Sequence, residues 1–323
     1  MHTPLTKLDY HIGRVRHEVD THKLQLCDAG KEDFLALCLE LGGEGAEKYG
    51  QVWSADSHYT RIQGIWPGNP EPSSKTSLLI TTIEGGSGPA LSLVLTPNEP
   101  TAYDYLLGLE LARTNRQGLT TLPPRSPAAF LTDNGPAKAE FCQQSVLESN
   151  IIPRLARSWT PHAKPGAECL MHVSQAHTVT DFALYGKDRY GNPRLVAPSE
   201  KLFEAAWNAA RNYNFLCAGG QELNRNDVAV RQHKAFCFSQ DRDPRPLVKP
   251  KMTEWVTVKN NKVLCPNGAI FSLPRHLHLP PKQYQAIREV TPIETQIEVL
   301  TGYHSYVASL VFPGDTISHL PGL

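Results

Sequence analysis

The order of short apolar runs and helical patterns between residues 51 and 170 constrains the fold most. Segments Leu78–Ile83 and Ala90–Thr96 are short, apolar and rich in β-branched residues, as buried strands are. A helical pattern follows Thr101, which forms a capping-box signature with Asp104. The strand-like segment Ala128–Thr132 then precedes a second helical pattern. Three strands followed by alternating helices and strands predict one α/β domain.

The pattern changes towards the C-terminus. From about Thr253 the sequence consists of short strand-like segments separated by turn signals such as Asn260-Asn261 and Pro266-Asn267-Gly268, which predict a small β-barrel. Residues 176–198 carry no regular pattern. We therefore predict an N-terminal helical segment (1–45), an α/β domain (46–237), a proline-containing linker (238–252) and the barrel (253–323).

The balanced charge of the chain excludes a protein that binds nucleic acid through a large overall positive charge. The chain has 32 Lys and Arg residues and 32 Asp and Glu residues, so bulk charge does not drive it onto nucleic acid. Residues 249–288 nevertheless hold seven basic residues against one acid, Glu254. These residues either contact phosphates or are ordinary solvated side chains, and the sequence leaves both interpretations open.

Hydropathy and cysteine spacing argue against a membrane-spanning helix, a disulfide framework and a zinc finger. No apolar run approaches the roughly 18 residues that span a bilayer, and the N-terminus lacks the pattern of a signal peptide. The seven cysteines form no Cys-x-x-Cys motif, which argues against a disulfide framework or a zinc finger. We expect buried, reduced thiols in a reducing cytoplasm.

Three acidic residues occupy positions that suggest metal-dependent chemistry. Asp56 lies in the first predicted strand, Asp133 follows the strand before the Asn134-Gly135 turn, and Glu168 begins a later predicted helix. Phosphodiester cleavage or exchange is commonly catalysed by two divalent ions, and Mg²⁺ prefers carboxylate oxygens. Taken singly, each acid has an ordinary alternative, such as a turn residue for Asp133.

The residues around these acids resemble a known family. Val52-Trp53-Ser54-Ala55-Asp56 is similar to the first-aspartate strand of the D,D,E recombinases, which share the retroviral-integrase catalytic core. Leu131–Pro136 resembles the second-aspartate turn, and Pro161–Glu168 resembles the approach to the glutamate. Asn212-Tyr213-Asn214 and the strand-rich tail resemble the bacterial transposases of the phage Mu type, including relatives that move with an accessory ATPase. The resemblance covers roughly residues 50–315.

This resemblance implies a ribonuclease-H-like mixed sheet flanked by helices, followed by the small barrel. It implies DNA strand cleavage by water and joining by the freed 3′-hydroxyl, with two Mg²⁺ or Mn²⁺ ions held by Asp56, Asp133 and Glu168. It also implies a homo-oligomer on transposon ends and target DNA, an accessory ATPase as partner, and a bacterial or phage protein associated with the nucleoid in the cytoplasm. The candidate DNA contacts are basic: Lys138, Arg154, Arg157, Lys164, Lys249, Lys251, Lys259, Lys262 and Arg275.

Two departures from the family pattern keep other functions open. Only about 50 residues precede the first acid, with six basic residues against nine acidic ones, whereas long members carry DNA-binding modules there. Glu168 is followed by Cys169-Leu170, where relatives often have a basic or aromatic residue. The alternatives are a catalytically inactive DNA-binding or assembly subunit and a metal-dependent nuclease that cleaves without joining.

Several further residues have two interpretations. Trp255, Tyr284 and Phe271 either stack on bases or pack in the core, and we expect core packing. His58 shares a strand face with Asp56 and could orient a metal-bound water, but an ordinary surface or core histidine is the simpler interpretation. His276 and His278 have metal-ligand spacing without an evident third ligand, so we expect no zinc there.

Overall fold

A computed structural model describes most of the chain from residue 50 onwards. The described residues are 50, 52–60, 62–69, 71–73, 75–83, 88–133, 135–156, 184–187, 193–217, 222–240 and 249–320, with side chains left out at 184–195 and 233–240. The chain divides into two units, residues 1–49 with 231–241 and residues 50–230 with 242–323. All side-chain contacts given below lie within the second unit.

The first part of the second unit contains strands and helices in the predicted order. Its elements are β1 (Val52–Tyr59), β2 (Gln63–Ile65), β3 (Ser77–Ile83), β4 (Ala90–Thr96), α1 (Ala102–Thr114), β5 (Ala129–Thr132), a 3₁₀ turn (Pro136–Lys138), α2 (Glu140–Glu148), β6 (Ile152–Leu155), β7 (Leu184–Lys187), β8 (Pro193–Pro198) and α3 (Ser199–Phe215). Helix α4 (Arg225–Gln240) begins in this unit and runs into residues assigned to the other. No described helix is both long and apolar enough to cross a membrane.

The main sheet has five strands in the order β4-β3-β1-β5-β6. Strand β3 pairs antiparallel with β1 and β4, whereas β5 pairs parallel with β1 and β6. Every residue of β3 and β4 is buried, as expected for strands covered on both faces. The mixed sheet flanked by helices confirms the predicted fold class, which the barrel described below completes.

Helices α1 and α3 cover opposite faces of this sheet. A Cβ added at Gly108 of α1 would lie 3.3 Å from Thr81 Oγ1 and 3.5 Å from Leu79 Cδ2, so α1 packs closely on the face of these residues. The intervening residues Leu78 and Ile80 belong instead to the core cluster of α3, together with Phe203. Adjacent strand residues point to opposite faces, and β3 thus contributes to both layers.

Helix α1 begins as its sequence predicts. The Asp104 carboxylate accepts hydrogen bonds from the backbone N–H and the hydroxyl of Thr101, both at 2.7 Å. Its other oxygen accepts from Thr316 Oγ1 at 3.0 Å, which ties the helix start to the segment after the barrel. Burial extends over nearly the whole helix, as its apolar composition indicates.

Three elements differ from the sequence predictions. The sequence of residues 51–96 predicts an antiparallel meander that includes a strand at Arg61–Ile65, but the strand found there, β2, pairs parallel with β8 in a separate three-stranded sheet. Residues 176–198 are not wholly irregular, since they contain β7 and β8. Helix α4 continues to Gln240 and so enters the stretch predicted as a linker. Short strands that pair with distant segments leave little local periodicity in the sequence, and this explains the first two errors.

The C-terminal part forms a closed barrel of six strands. They are β9 (Lys251–Lys259), β10 (Lys262–Leu264), β11 (Ile270–Ser272), β12 (Gln283–Glu289), β13 (Gln296–Leu300) and β14 (Ser305–Phe312), in the order β10-β11-β14-β13-β12-β9. Buried and exposed residues alternate along β9, and the inward ones form a core with Phe271. The barrel is therefore as predicted, although β12 was not among the predicted strands.

The outer backbone edge of β4 is hydrogen-bonded by side-chain amides. Asn214 Oδ1 accepts from the N–H of Ala90 and its Nδ2 donates to the Ala90 carbonyl, at 2.8 and 2.9 Å. Gln117 makes the same pair of bonds with Leu93, at 2.8 and 2.7 Å. Ile317 then bridges Leu95 by two backbone bonds of 2.8 Å. These groups satisfy an edge that would otherwise be open to another strand.

A buried arginine joins the barrel to the α/β layer. Arg288 of β12 is 1% exposed and forms ion pairs with Glu254 at 2.5 Å and Glu294 at 2.6 Å. Its guanidinium carbon lies 3.9 Å from the ring centre of Tyr103 in α1. Ser145 of α2 also donates a hydrogen bond to the carbonyl of Lys251. Both helices therefore contact the barrel directly.

The described cysteines only partly match the expectation of buried thiols. Cys142 and Cys265 are buried, and burial raises the pKa of each thiol to about 12. Cys217 is exposed just after α3. The two buried thiols thus remain protonated and unreactive at neutral pH.

We predict that Asn214→Ala lowers the free energy of unfolding by about 2–4 kcal/mol, because it leaves buried backbone groups of Ala90 and Leu119 without partners. Denaturant unfolding followed by circular dichroism measures the change. Asn212→Ala, two residues earlier on the exposed side of α3, is the matched control and should change stability by about 0.5 kcal/mol or less. Equal effects of the two substitutions would contradict the edge-capping role.

Candidate active site

Two of the three predicted acids lie at matching positions of neighbouring parallel strands. The register of β1 and β5 pairs Trp53 with Phe130 and Ser54 with Leu131. Asp56 follows Ser54 by two residues, and Asp133 follows Leu131 by two residues. Because neighbouring strands lie about 4.8 Å apart, this register brings the two carboxylates side by side at one edge of the sheet.

Tyr105 of α1 lies within electrostatic range of both acids. Tyr105 of α1 is 2% exposed, and its hydroxyl is hydrogen-bonded with the Ser57 side chain. Burial raises the pKa of Tyr105 above its ordinary value, and the negative charges of Asp133 and Asp56 raise it further, whereas the bond with Ser57 lowers it. The Tyr105 hydroxyl is therefore influenced by the charge of both carboxylates.

Neither carboxylate is fully buried. Asp56 and Asp133 are both half-buried, so water and ions can reach them. The backbone N–H of Ser57 donates to Asp56 Oδ1 at 2.9 Å, which restricts the rotation of that side chain. The arrangement is a partly open acidic site on a rigid strand pair, rather than a pair of flexible surface acids.

Glu99 adds a negative charge that the sequence analysis missed. It raises the pKa of Tyr105, after burial and the two aspartates in order of effect. Strand β4 runs parallel to β1, since two antiparallel steps through β3 separate them, and Glu99 follows its carboxyl end. The available sequence signal was an acid just beyond the end of a strand. That signal could be used only by knowing that β4 is connected to β1 through β3.

The remaining predicted acid, Glu168, lies outside the described residues, as do Arg157 and Lys164. Within the described part of the chain, no group of three His, Cys, Asp or Glu side chains is arranged to hold a metal ion. The structure therefore describes two of the three proposed ligands, and the ligand role of all three stays a prediction from sequence.

The carboxylate pair fits a divalent cation. Two like charges on adjacent strands repel each other, and a divalent ion between them removes this repulsion. Carboxylate oxygens are also the ligands that Mg²⁺ and Mn²⁺ prefer, and these ions commonly retain several waters. Asp56 and Asp133 would hold the ion, which would supply charge neutralisation for a phosphate oxygen and activation of a water.

The described basic candidates lie in two regions. Lys138 is exposed in the 3₁₀ turn after Asp133, and Arg154 lies half-buried on β6, where it pairs in register with Leu131. The barrel carries the others, all exposed: Lys249, Lys251, Lys259, Lys262 and Arg275. Lys259 and Lys262 face each other across β9 and β10, whereas Lys249 lies 3.8 Å from Glu289. Their role in DNA binding stays a prediction.

Core packing was predicted for three aromatic residues, and the prediction is confirmed for two of them and wrong for the third. Phe271 and Tyr284 are buried in the barrel core, as expected. Trp255 is 59% exposed, so its expected core packing is wrong. Trp255 lies on β9 at an outward position of the alternating pattern, and the pattern of the strand rather than the residue type decides its exposure. His58 is half-buried, and His276 and His278 are exposed.

The chain matches no protein-family model and no curated protein sequence. Similar solved structures include a chain of the simian T-cell lymphotropic virus intasome in complex with PP2A regulatory subunit B56 gamma, with 15% identity over 83% of this chain and 79% of that chain, at a TM-score of 0.39. The catalytic core domain of BIV integrase has 14% identity, coverage of 57% and 97%, and a TM-score of 0.36. The HTLV-2 integrase catalytic core domain in complex with magnesium has 14% identity, coverage of 56% and 96%, and a TM-score of 0.37. The assignment to a mixed α/β sheet with a barrel depends on the strand pairings and not on these similarities.

Proposed function

We propose that this chain is a metal-dependent DNA strand transferase of the D,D,E type. The supporting observation is the in-register placement of Asp56 and Asp133 on parallel strands beside Tyr105. Carboxylate oxygens are the ligands that Mg²⁺ and Mn²⁺ prefer, and such ions catalyse phosphodiester chemistry.

In this proposal Asp56 and Asp133 hold the catalytic metal, and Glu168 completes the ligand set for two Mg²⁺ or Mn²⁺ ions. Bound ions would supply charge stabilisation at the attacking and leaving oxygens. Residues of the chain itself would hold and orient the ions, and the Ser57 N–H donates a hydrogen bond to one oxygen of Asp56. Water is the nucleophile for nicking, and the freed 3′-hydroxyl is the nucleophile for joining.

The finer assignments rest on the sequence resemblance. They are membership of the phage Mu-type branch, assembly as a homo-oligomer on transposon ends and target DNA, and partnership with an accessory ATPase. We propose that the exposed lysines of the barrel and of the turn after Asp133 contact the DNA backbone, because exposed Lys side chains bind phosphates irrespective of sequence.

Two other functions remain as alternatives with distinct outcomes. A catalytically inactive assembly subunit derived from a transposase would bind DNA without cleaving it. A metal-dependent nuclease on the same fold would nick DNA without joining the freed end to a target. The acidic balance of residues 1–50 favours the first of these, since it is unsuited to gripping phosphates.

We predict that Asp133→Asn raises the free energy of unfolding by about 1 kcal/mol in the presence of EDTA, because it removes a like-charge contact with Asp56. The same substitution should abolish the stabilisation that Mg²⁺ or Mn²⁺ gives to the unmodified protein, since a bound ligand stabilises only the state that binds it. Thermal unfolding with and without metal measures both effects. Glu148→Gln, an exposed acid on α2, is the control and should keep the metal response. A full metal response in Asp133→Asn would exclude Asp133 as a ligand.

We also predict that Asp56→Asn, Asp133→Asn and Glu168→Gln each reduce nicking of a labelled DNA by about a thousandfold or more while the fold persists. Product analysis on a denaturing gel, with Mg²⁺ or Mn²⁺ and a circular target, separates nicking from joining. Circular dichroism checks folding. Nicking without joined product would favour the nuclease, and binding without any nicking in the unmodified protein would favour the inactive subunit.

A further inference from the structure

A cleft of about 520 Å³ lies where the α/β layer meets the barrel. The first turn of α1 and the helix α2 form one wall, with Thr101, Phe141 and Gln144. Strands β9 and β12 form the other wall, with Thr253, Trp255 and Gln285. The volume falls within the range of sites that hold small organic groups.

The cleft is lined by the starts of α1 and α2. Strands β4 and β5 both run parallel to β1, so their carboxyl ends lie together at the edge that carries Asp56 and Asp133. Helix α1 begins soon after β4 and α2 begins soon after β5, which places both helix starts at this edge. Within the first turns of α1, Tyr103 contacts the barrel arginine and Tyr105 contacts Ser57.

The walls offer an aromatic face and two amides. Trp255 is 59% exposed, and Gln285 is its direct neighbour across β9 and β12. Gln144 is exposed on α2. An indole ring presents a face for stacking, and each amide can both donate and accept a hydrogen bond, as the edge of a nucleobase also does.

The charged residues around the cleft determine which part of a nucleotide can enter it. Glu254 lines the cleft and shares the guanidinium of Arg288 with Glu294, and Glu140 is exposed at the rim, so these acids would repel a phosphate. Lys251 is exposed and shares the outward side of β9 with Thr253 and Trp255. An uncharged base therefore fits inside, with its phosphate outside near Lys251.

We propose that this cleft binds one unpaired base of the DNA strand, stacked on Trp255 and hydrogen-bonded by Gln144 and Gln285. The proposal rests on DNA being the substrate, and it adds a contact that holds a single strand near the acidic edge of the sheet. A base that is already unpaired enters without the cost of breaking a duplex, so the site favours single-stranded tails over blunt duplex ends.

The test measures binding of the full chain, in EDTA, to a fluorescent single-stranded oligonucleotide and to a blunt duplex of the same length. We expect Trp255→Ala to weaken binding of the single strand about tenfold and to change binding of the duplex less than about twofold. Trp255→Phe should retain most of the affinity, and single-strand binding should quench the tryptophan fluorescence of the unmodified protein more than that of Trp255→Phe. Tyr303→Ala, at a 95% exposed position away from the cleft walls, is the matched control and should change neither affinity.

Unchanged single-strand affinity in Trp255→Ala, or an equal loss in Tyr303→Ala, would overturn the proposal. Because the assay contains no metal, it is independent of catalysis: a chain that fails to nick DNA can still show Trp255-dependent binding. Conversely, strand transfer by the unmodified protein together with full single-strand binding by Trp255→Ala would reject the cleft alone. Absence of binding to either DNA would reject the cleft and the proposed substrate together.

Discussion

The parallel pairing of β1 with β5 is the constraint on which the rest of the structure depends. Its register sets Asp56 beside Asp133, although 76 residues separate them in the sequence. A shift of one residue would turn one carboxylate to the opposite face, because side chains alternate along a strand. The same pairing sets the direction in which β5 leads into α2, whereas the pairings of β3 with β1 and β4 set the direction in which β4 leads into α1.

Groups far from the acids occupy the opposite edge of the sheet, at β4. The sheet ends at β4, where two amide side chains and Ile317 occupy the backbone hydrogen bonds that another strand would otherwise take. Asn214 also donates to the Leu119 carbonyl, so one residue of α3 joins β4 to the segment after α1. The buried position and hydrogen bonds of Asn214 give the Tyr213-Asn214 pair near the end of α3 a structural role. A sheet sealed in this way has a fixed end, and slippage of its strands costs buried hydrogen bonds.

The sequence predicts the parts of this fold that are locally encoded. Strands β3 to β5 are apolar runs bounded by turns, and α1 has a capping box, so composition and spacing suffice. The partner of β2 and the existence of β8 were not predictable in this way, because both depend on pairing between distant segments. Strand β12 was missed because its alternating Gln-Tyr-Gln-Ala pattern is polar on one side and has little overall hydrophobicity.

The candidate site shows the same division. Asp56 and Asp133 were recognisable by sequence context, but Glu99 and Tyr105 acquire meaning only through the strand order. Trp255 was expected to be buried because tryptophan usually is, yet its neighbours Glu254 and Val256 take the inward positions of β9. Glu254 is a buried acid between two apolar inward positions of β9. Its burial was not predictable without knowing that it pairs with Arg288 on β12.

Arg288 also accounts for the position of the barrel relative to the acidic edge. A guanidinium withdrawn from water is stable only with its charge compensated and its hydrogen bonds satisfied, and Glu254 and Glu294 do this from within the barrel. The face of the guanidinium is left for Tyr103 at the start of α1. Since this contact has defined distance and orientation, it holds β9 and β12 against α1 and α2, and the cleft keeps its two walls. A barrel attached only by a flexible segment would present Trp255 to solvent without a facing amide, and stacking alone could not then select an unpaired base at the edge where Asp56 and Asp133 meet.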